Sequence, residues 1–301
     1  MLSPSCRRRR VTDLSVASSP ASPRLPNDVW AAPPLLVLAA LFFYPLSLIL
    51  RQALFGDEGA FTLSHFGEVV GSPLFLDGLH HTLVIAVSAT AGCLLLGFIL
   101  SLVIAFVPFP GARLVGRLID TFIALPTFLV ALAFTFIYGS SGLLNESLMR
   151  LLHLPLPPID FLYSQWGVIL SEVTVYTPFV MRPLLAAFSL IEASQIEVAS
   201  SLGARPLRII GQIILPAALP ALIAGGSLCL LLTVNEFGIV LFIGAKDVIT
   251  LPLLIYDKAI QEFDYTTACV IAVVNVALSL GLYSLYRLAV AHFAGSRAGL
   301  V

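Results

Sequence analysis

Long apolar runs recur along the chain at about 31–50, 79–107, 118–139, 165–190, 217–243 and 266–289, with short polar stretches between them. Each is long enough to cross the hydrocarbon of a bilayer as a helix, for which about 20 residues suffice. Helices are expected because lipid offers no partner to a free backbone N–H or carbonyl. The pattern therefore predicts an all-α polytopic membrane protein of about six transmembrane helices. Pro45, Pro126, Pro178 and Pro183 lie inside these runs. They are expected to kink the helices without ending them, since neighbours in a bundle satisfy the freed carbonyls.

Composition sharpens this picture. Of 301 residues, 58% are apolar or aromatic and 11% are charged, against about 25% charged in an ordinary soluble domain. A soluble globular fold, a disordered chain and collagen are all excluded. A net charge of −1 without a basic stripe gives no reason to expect a nucleic-acid partner. Residues 1–28, polar and carrying Arg7 to Arg10, are predicted to be a disordered tail, and 291–301 a second, short tail around a 29–290 membrane domain.

Charge also predicts orientation. With the amino terminus inside, the inner segments hold twelve basic residues (Arg7 to Arg10, Arg24, Arg113, Arg117, Arg182, Arg205, Arg208, Arg287, Arg297). The outer ones hold four (Arg51, Arg150, Lys246, Lys258). Cytoplasmic loops are expected to carry the excess, so both termini are expected in the cytoplasm. Cys6, Cys93, Cys229 and Cys269 lack C-x-x-C spacing and read as small core hydrophobes. His80-His81 lacks a third ligand at suitable spacing, so no metal site is expected.

The polar stretch between the fourth and fifth runs has a pattern of its own. Ser194 and Glu197 have capping-box spacing, Gly203 is placed to end a short helix, and Pro206 suits the first turn of the next. Two short helices joined by a turn are predicted. The run Glu197-Val-Ala199, Gly203, Ile213-x-Leu215-Pro216 resembles the EAA loop of ATP-binding-cassette (ABC) import permeases. Val198 stands where that loop usually has Ala, a conservative departure. The resemblance covers roughly residues 30–290 and implies a type I importer (MetI-like) permease fold in a bacterial inner membrane.

It further implies that Glu197, Ala199, Gly203, Ile213, Leu215 and Pro216 dock a separate cytoplasmic ATPase subunit. ATP and Mg would then be bound by that partner and not by this chain, which has no G-x-x-x-x-G-K-[ST] loop. A second permease subunit, identical or homologous, and a periplasmic solute-binding protein are implied as well. The chain is expected to be a non-catalytic transport subunit.

Pro108-Phe-Pro-Gly-Ala112, Asp120-Thr-Phe-Ile-Ala-Leu-Pro126, Phe134-Thr-Phe-Ile-Tyr-Gly139 and Asn235-Glu-Phe-Gly-Ile-Val-Leu-Phe-Ile-Gly-Ala-Lys246 resemble the permeases of 2-aminoethylphosphonate importers. Iron(III) and putrescine or spermidine importers share part of the last stretch and are the alternatives. Ionisable groups inside spans mark functional sites. Glu172 and Glu236, with Asn235 beside the latter, are the candidate substrate pathway or gate. By its distance from Pro216, Glu236 is expected near the outer interface, either solvated or bonded to a neighbouring helix end. Gly92, Gly97 and Gly225-Gly226 are expected to let helices approach closely.

Two rivals come from other classes. Gly139-Ser-Ser-Gly142 and Ala291-His292-Phe-Ala-Gly295 match rhomboid-protease signatures by letter. The predicted topology puts Ser141 and His292 at opposite membrane faces, about 30 Å apart, too far for a nucleophile and its base. A secondary transporter would be expected to show internal repeats, and no duplicated segment is evident.

Overall fold

A computed structural model of the protein describes residues 28–55, 61 and 63–298. All regular structure among them is helical. The chain divides into two compact units, the first ending at Leu48 and the second starting at Ile49. Helix α1 (Asp28–Phe55) carries Pro45 inside it and is apolar all round, as a membrane-crossing helix is. The expected tail, residues 1–28, lies outside the described residues except for Asp28, which opens α1.

The second unit is built on three helices packed side by side: α3 (Pro73–Phe106), α7 (Gln165–Phe188) and α10 (Leu215–Val234). Helix α3 begins six residues before the expected start. Ser72 caps it, its hydroxyl accepting from the N–H of Phe75 at 3.3 Å, and Pro73 takes the first position, where a missing N–H costs nothing. Its 34 residues rise about 51 Å, more than the hydrocarbon of a bilayer. A short helix, α2 (Ser64–Val70), precedes it.

In lipid, helices gain little from burying apolar surface against each other, and close packing has to hold them together. Val180 of α7 shows how this is done. A methyl group added at Gly97 of α3 would lie 3.0 Å from its Cβ, and one at Gly225 of α10 would lie 3.0 Å from its Cα. Glycines on both flanking helices thus let α7 sit between them, as the sequence predicts. Pro178 and Pro183 lie inside α7 without ending it.

Pro126 behaves otherwise, a correction to the expected third span. Helix α4 (Ala112–Ile123) stops short of it, and α5 (Thr127–Tyr138) starts after it. Pro126 takes extended backbone angles, and proline disfavours helix in the residue before it. The membrane-length apolar stretch is then Thr127–Leu152, formed by α5 with α6 (Leu143–Leu152). Asn145, fully buried, ties the following loop to this pair. Its Nδ2 donates to the carbonyls of Gly139 (2.9 Å) and Ile159 (2.7 Å), and its Oδ1 accepts from Ile159 N–H (3.0 Å).

The fifth span also departs from expectation. It runs from Pro206 to Val234 and stops at Asn235, and Gly238–Ile243 forms a separate short helix, α11. The loop then returns through α12 (Leu251–Tyr256), tied to α3 by the N–H of Leu251 donating to Thr82 Oγ1 at 2.8 Å. The last helix, α13 (Tyr265–Ala298), continues nine residues past the expected end at 289. Six apolar helical stretches among the described residues are long enough to cross a membrane, in agreement with the sequence.

Candidate functional site

Two places carry the residues singled out above. The first is an elbow between α7 and α10. It comprises α8 (Ala193–Ser201), a turn at Leu202–Arg205, α9 (Pro206–Ile209), and a wide helical turn at Ile210–Ile214 that leads into α10.

Gly203 has φ +83°, the left-handed conformation that glycine adopts freely. Its N–H donates to Ser200 O at 2.9 Å, and Ala204 N–H donates to Ala199 O at 3.0 Å. These two bonds are the Schellman pair that satisfies the last carbonyls of a helix. Pro206 opens α9 behind the cap residue Arg205, as predicted. The capping box does not form. Helix α8 starts one residue before Ser194, with Glu192 at the cap, and the Ser194 hydroxyl turns back to the Glu192 carboxylate at 3.2 Å.

The wide turn has a cause in the sequence. Pro216 lacks an N–H and its ring excludes the carbonyl four residues back. The preceding ladder passes to bonds five residues apart, with Leu215 N–H donating to Ile210 O.

The six loop residues divide into two groups. Ala199, Ile213 and Leu215 are half-buried, the first two packed against the core, whereas Glu197, Gly203 and Pro216 are exposed. The sequence reading did not single out Leu202 and Leu207, each 83% exposed on either side of Gly203, and it noted Val198, also exposed, only as a departure from Ala. The available signal was large apolar side chains in an otherwise polar connection. Just ahead of the elbow, the ring of Phe188 at the end of α7 lies 6.2 Å from that of Phe98 and 5.3 Å from that of Phe106 on α3.

The second place is the break after α10. Glu236 is 7% exposed, so the solvated alternative fails and the bonded one holds. Its Oε1 accepts from Ile239 N–H at 2.8 Å, in the first turn of α11, and from Thr127 Oγ1 at 3.3 Å, the first residue of α5. Its Oε2 accepts from the Tyr176 hydroxyl of α7. One carboxylate thus joins three helices.

Asn235 points elsewhere. Its Nδ2 donates to Leu231 O (2.8 Å) and to Ser279 Oγ of α13 (3.2 Å), and its Oδ1 accepts from Asn275 Nδ2 (3.1 Å). Glu172 lies one helical turn before Tyr176, is 1% exposed, and has no hydrogen-bond partner for either oxygen among the described residues. The structure therefore brings Glu236 and Tyr176 together but puts Asn235 in a separate cluster with α13. Tyr176 and Thr127 were not singled out in the sequence, since a lone Tyr or Thr in an apolar run reads as filler.

Beyond the spans, burial and the neighbouring Glu262 hold the Asp257 carboxyl above its ordinary value, with Lys258 opposing. Among the described residues no three His, Cys, Asp or Glu side chains stand close enough to hold a metal. Cys93 and Cys229 are buried and free, with Sγ near the carbonyls of Val173 (3.7 Å) and Tyr176 (3.3 Å).

Residues 93–294, a stretch containing both places, match the family described as binding-protein-dependent transport system inner membrane component. The chain belongs to that family. The permease is 66% identical over 261 residues to PhnU of Salmonella typhimurium, by its name a 2-aminoethylphosphonate transport system permease protein, covering 87% of this chain and 91% of that one. Against the sulfate transport system permease protein CysT of the same organism, identity falls to 28% over 250 residues, 82% of this chain and 86% of that one.

Its fold is that of a solved bacterial ABC transporter for alginate import (TM-score 0.75, 19% identity, covering 89% of this chain and 95% of that one). The MetNI methionine ABC transporter also resembles it, with TM-score 0.54 and 19% identity over 74% of this chain and 95% of that one. The permease is a multi-pass membrane subunit of an ABC importer, most like the 2-aminoethylphosphonate type; the iron(III), polyamine, secondary-transporter and rhomboid alternatives are not favoured.

Proposed function

We propose that the permease carries 2-aminoethylphosphonate inward across the bacterial inner membrane by alternating access. The observation that carries this cargo is the 66% identity to PhnU, sustained over most of both chains. A separate ATPase subunit binds ATP and Mg and docks on the elbow, both termini lie in the cytoplasm, and this chain does no chemistry. A solved relative of the fold holds a periplasmic binding protein with an alginate pentasaccharide, which supports a binding-protein partner here. A second permease subunit completes the pathway.

The exposed Leu202, Leu207 and Val198 support the docking role, because large apolar side chains in a polar loop are expected to be covered by a partner. Glu197, Ala199, Gly203, Ile213, Leu215 and Pro216 form the docking segment, in which Glu197, Gly203 and Pro216 are exposed and Ala199 and Ile213 pack against the core. Movement of the elbow is transmitted through α10 to its broken end. There Glu236 acts as a gate residue, with Asn235 and Glu172 serving the pathway.

Uptake of radiolabelled 2-aminoethylphosphonate by a deletion strain, with and without the restored gene, tests the cargo. Restoration of that uptake, dependent on the binding protein, is expected. Restored sulfate or iron uptake with no phosphonate uptake would overturn the assignment.

A further inference from the structure

A groove of about 480 Å³ lies between the last two turns of α3 and the elbow, lined by Val103, Phe106 and Val107 on one side and Ile196, Ile209 and Ile214 on the other. Ser200 is the single polar side chain in its lining. Its volume is typical of a small-ligand site. Its walls, however, lack the convergent polar groups that would orient a polar solute.

Two observations indicate what fills it. One wall is the end of the membrane-length apolar helix Pro73–Phe106, and the other joins α8 to the start of the apolar stretch Pro206–Val234, so the groove is expected where acyl chains meet headgroups. Pro206 and Ile209 in its lining are flanked in sequence by Arg205 and Arg208, both exposed. Neither guanidinium has an ion pair or hydrogen bond among the described residues. An apolar slot lined partly by α9, whose cap residue Arg205 and last-turn Arg208 are exposed, matches an acyl chain joined to an anionic headgroup.

We propose that this groove binds an anionic phospholipid, one acyl chain lying in the slot and the phosphate held by Arg205 and Arg208. The lipid then wedges the elbow against α3, on the path by which the elbow moves the bundle. This rests on the reading of the elbow as the cytoplasmic coupling element.

The test uses the importer complex reconstituted in phosphatidylcholine vesicles with or without phosphatidylglycerol, with the photoreactive substitution Val103→benzoylphenylalanine. A phosphatidylglycerol adduct, identified by mass and enriched over its share of the bilayer, is expected. Arg205→Gln and Arg208→Gln should each lower that enrichment about fivefold, while the lysine replacements retain it. An adduct with a peptide, from the second permease subunit or from this chain's first helix, would overturn the proposal. So would labelling in proportion to bilayer composition, or enrichment untouched by the arginine changes. Co-purification of the ATPase is scored on the same preparation without label, so failure of the coupling reading is seen apart from failure of the lipid site.

Discussion

The carboxylate of Glu236 and the elbow between α7 and α10 are opposites in their chemistry. Around Glu236, at the break between apolar helices, a carboxyl group is buried and its oxygens accept from Thr127, Tyr176 and the backbone of Ile239. On the elbow, in a polar connection between two spans, leucines stand 83% exposed. The first site is complete within this chain. The second is internally well formed, with both Schellman bonds at Gly203, yet it presents apolar surface that no described residue covers. One region therefore ties helices together, and the other offers the apolar surface on which the proposed docking rests.

The strongest way to break this contrast is to remove the carboxylate. Glu236→Ala leaves a tyrosine hydroxyl, a threonine hydroxyl and a backbone N–H without their acceptor in a buried place. At about 0.6 kcal/mol per bond between membrane helices the loss is about 2 kcal/mol. At about 1–3 kcal/mol per orphaned buried group it is higher still. Thermal unfolding of the detergent-solubilised complex should show a clear drop in midpoint. An unchanged midpoint would mean the knot contributes nothing to the fold.

Next in size is the exposed surface. Replacing Leu202 and Leu207 together by Ser removes no buried contact, so yield and unfolding midpoint should stay as they are. Binding of the ATPase subunit should weaken by about 2 kcal/mol, near 30-fold, as loss of an interface anchor does. Equal affinity would show that the leucines face something else.

Gly203→Val tests the shape of the elbow apart from its surface. Nothing stands within 4 Å of the position a β-carbon would take, so the effect is conformational. Holding a β-branched residue at φ +83° costs about 1–2 kcal/mol locally. Insertion should be intact and substrate-stimulated ATP turnover lost, with Gly203→Asn closer to wild type because Asn tolerates the left-handed region. Normal stimulation in the valine variant would separate the turn from coupling.

What the sequence disclosed follows from the range of the physics involved. Six spans, the close approach at Gly97 and Gly225, and the turn at Gly203 are set by local composition and backbone preference, and all were legible. Pro126 and Pro178 are the same residue in similar runs, yet one ends a helix and the other does not. Proline's local preferences are the same at both positions, so what separates them lies outside the local sequence. For the same reason the bonding of Glu236 was foreseen only as an alternative. Tyr176 is 60 residues away and Thr127 109 residues away, and no spacing rule connects them. The capping box at Ser194 failed because a neighbouring residue, Glu192, took the cap position.

A small stability effect also belongs to the acid that breaks the rule followed by Glu236. Glu172 is buried more deeply, yet no group among the described residues bonds either of its oxygens. A carboxyl kept in an apolar bundle without partners is costly, and replacing it with a neutral isostere should be neutral or mildly stabilising, within about 1 kcal/mol. Glu172→Gln is therefore expected to unfold no earlier than wild type. Uptake of the phosphonate should nevertheless fall several-fold, because an ionisable side chain at such a depth is expected to serve the passage of solute. Parallel measurements of midpoint and initial uptake rate separate the two effects. Full uptake with an unchanged midpoint would remove Glu172 from the pathway and leave Glu236 as its acidic member.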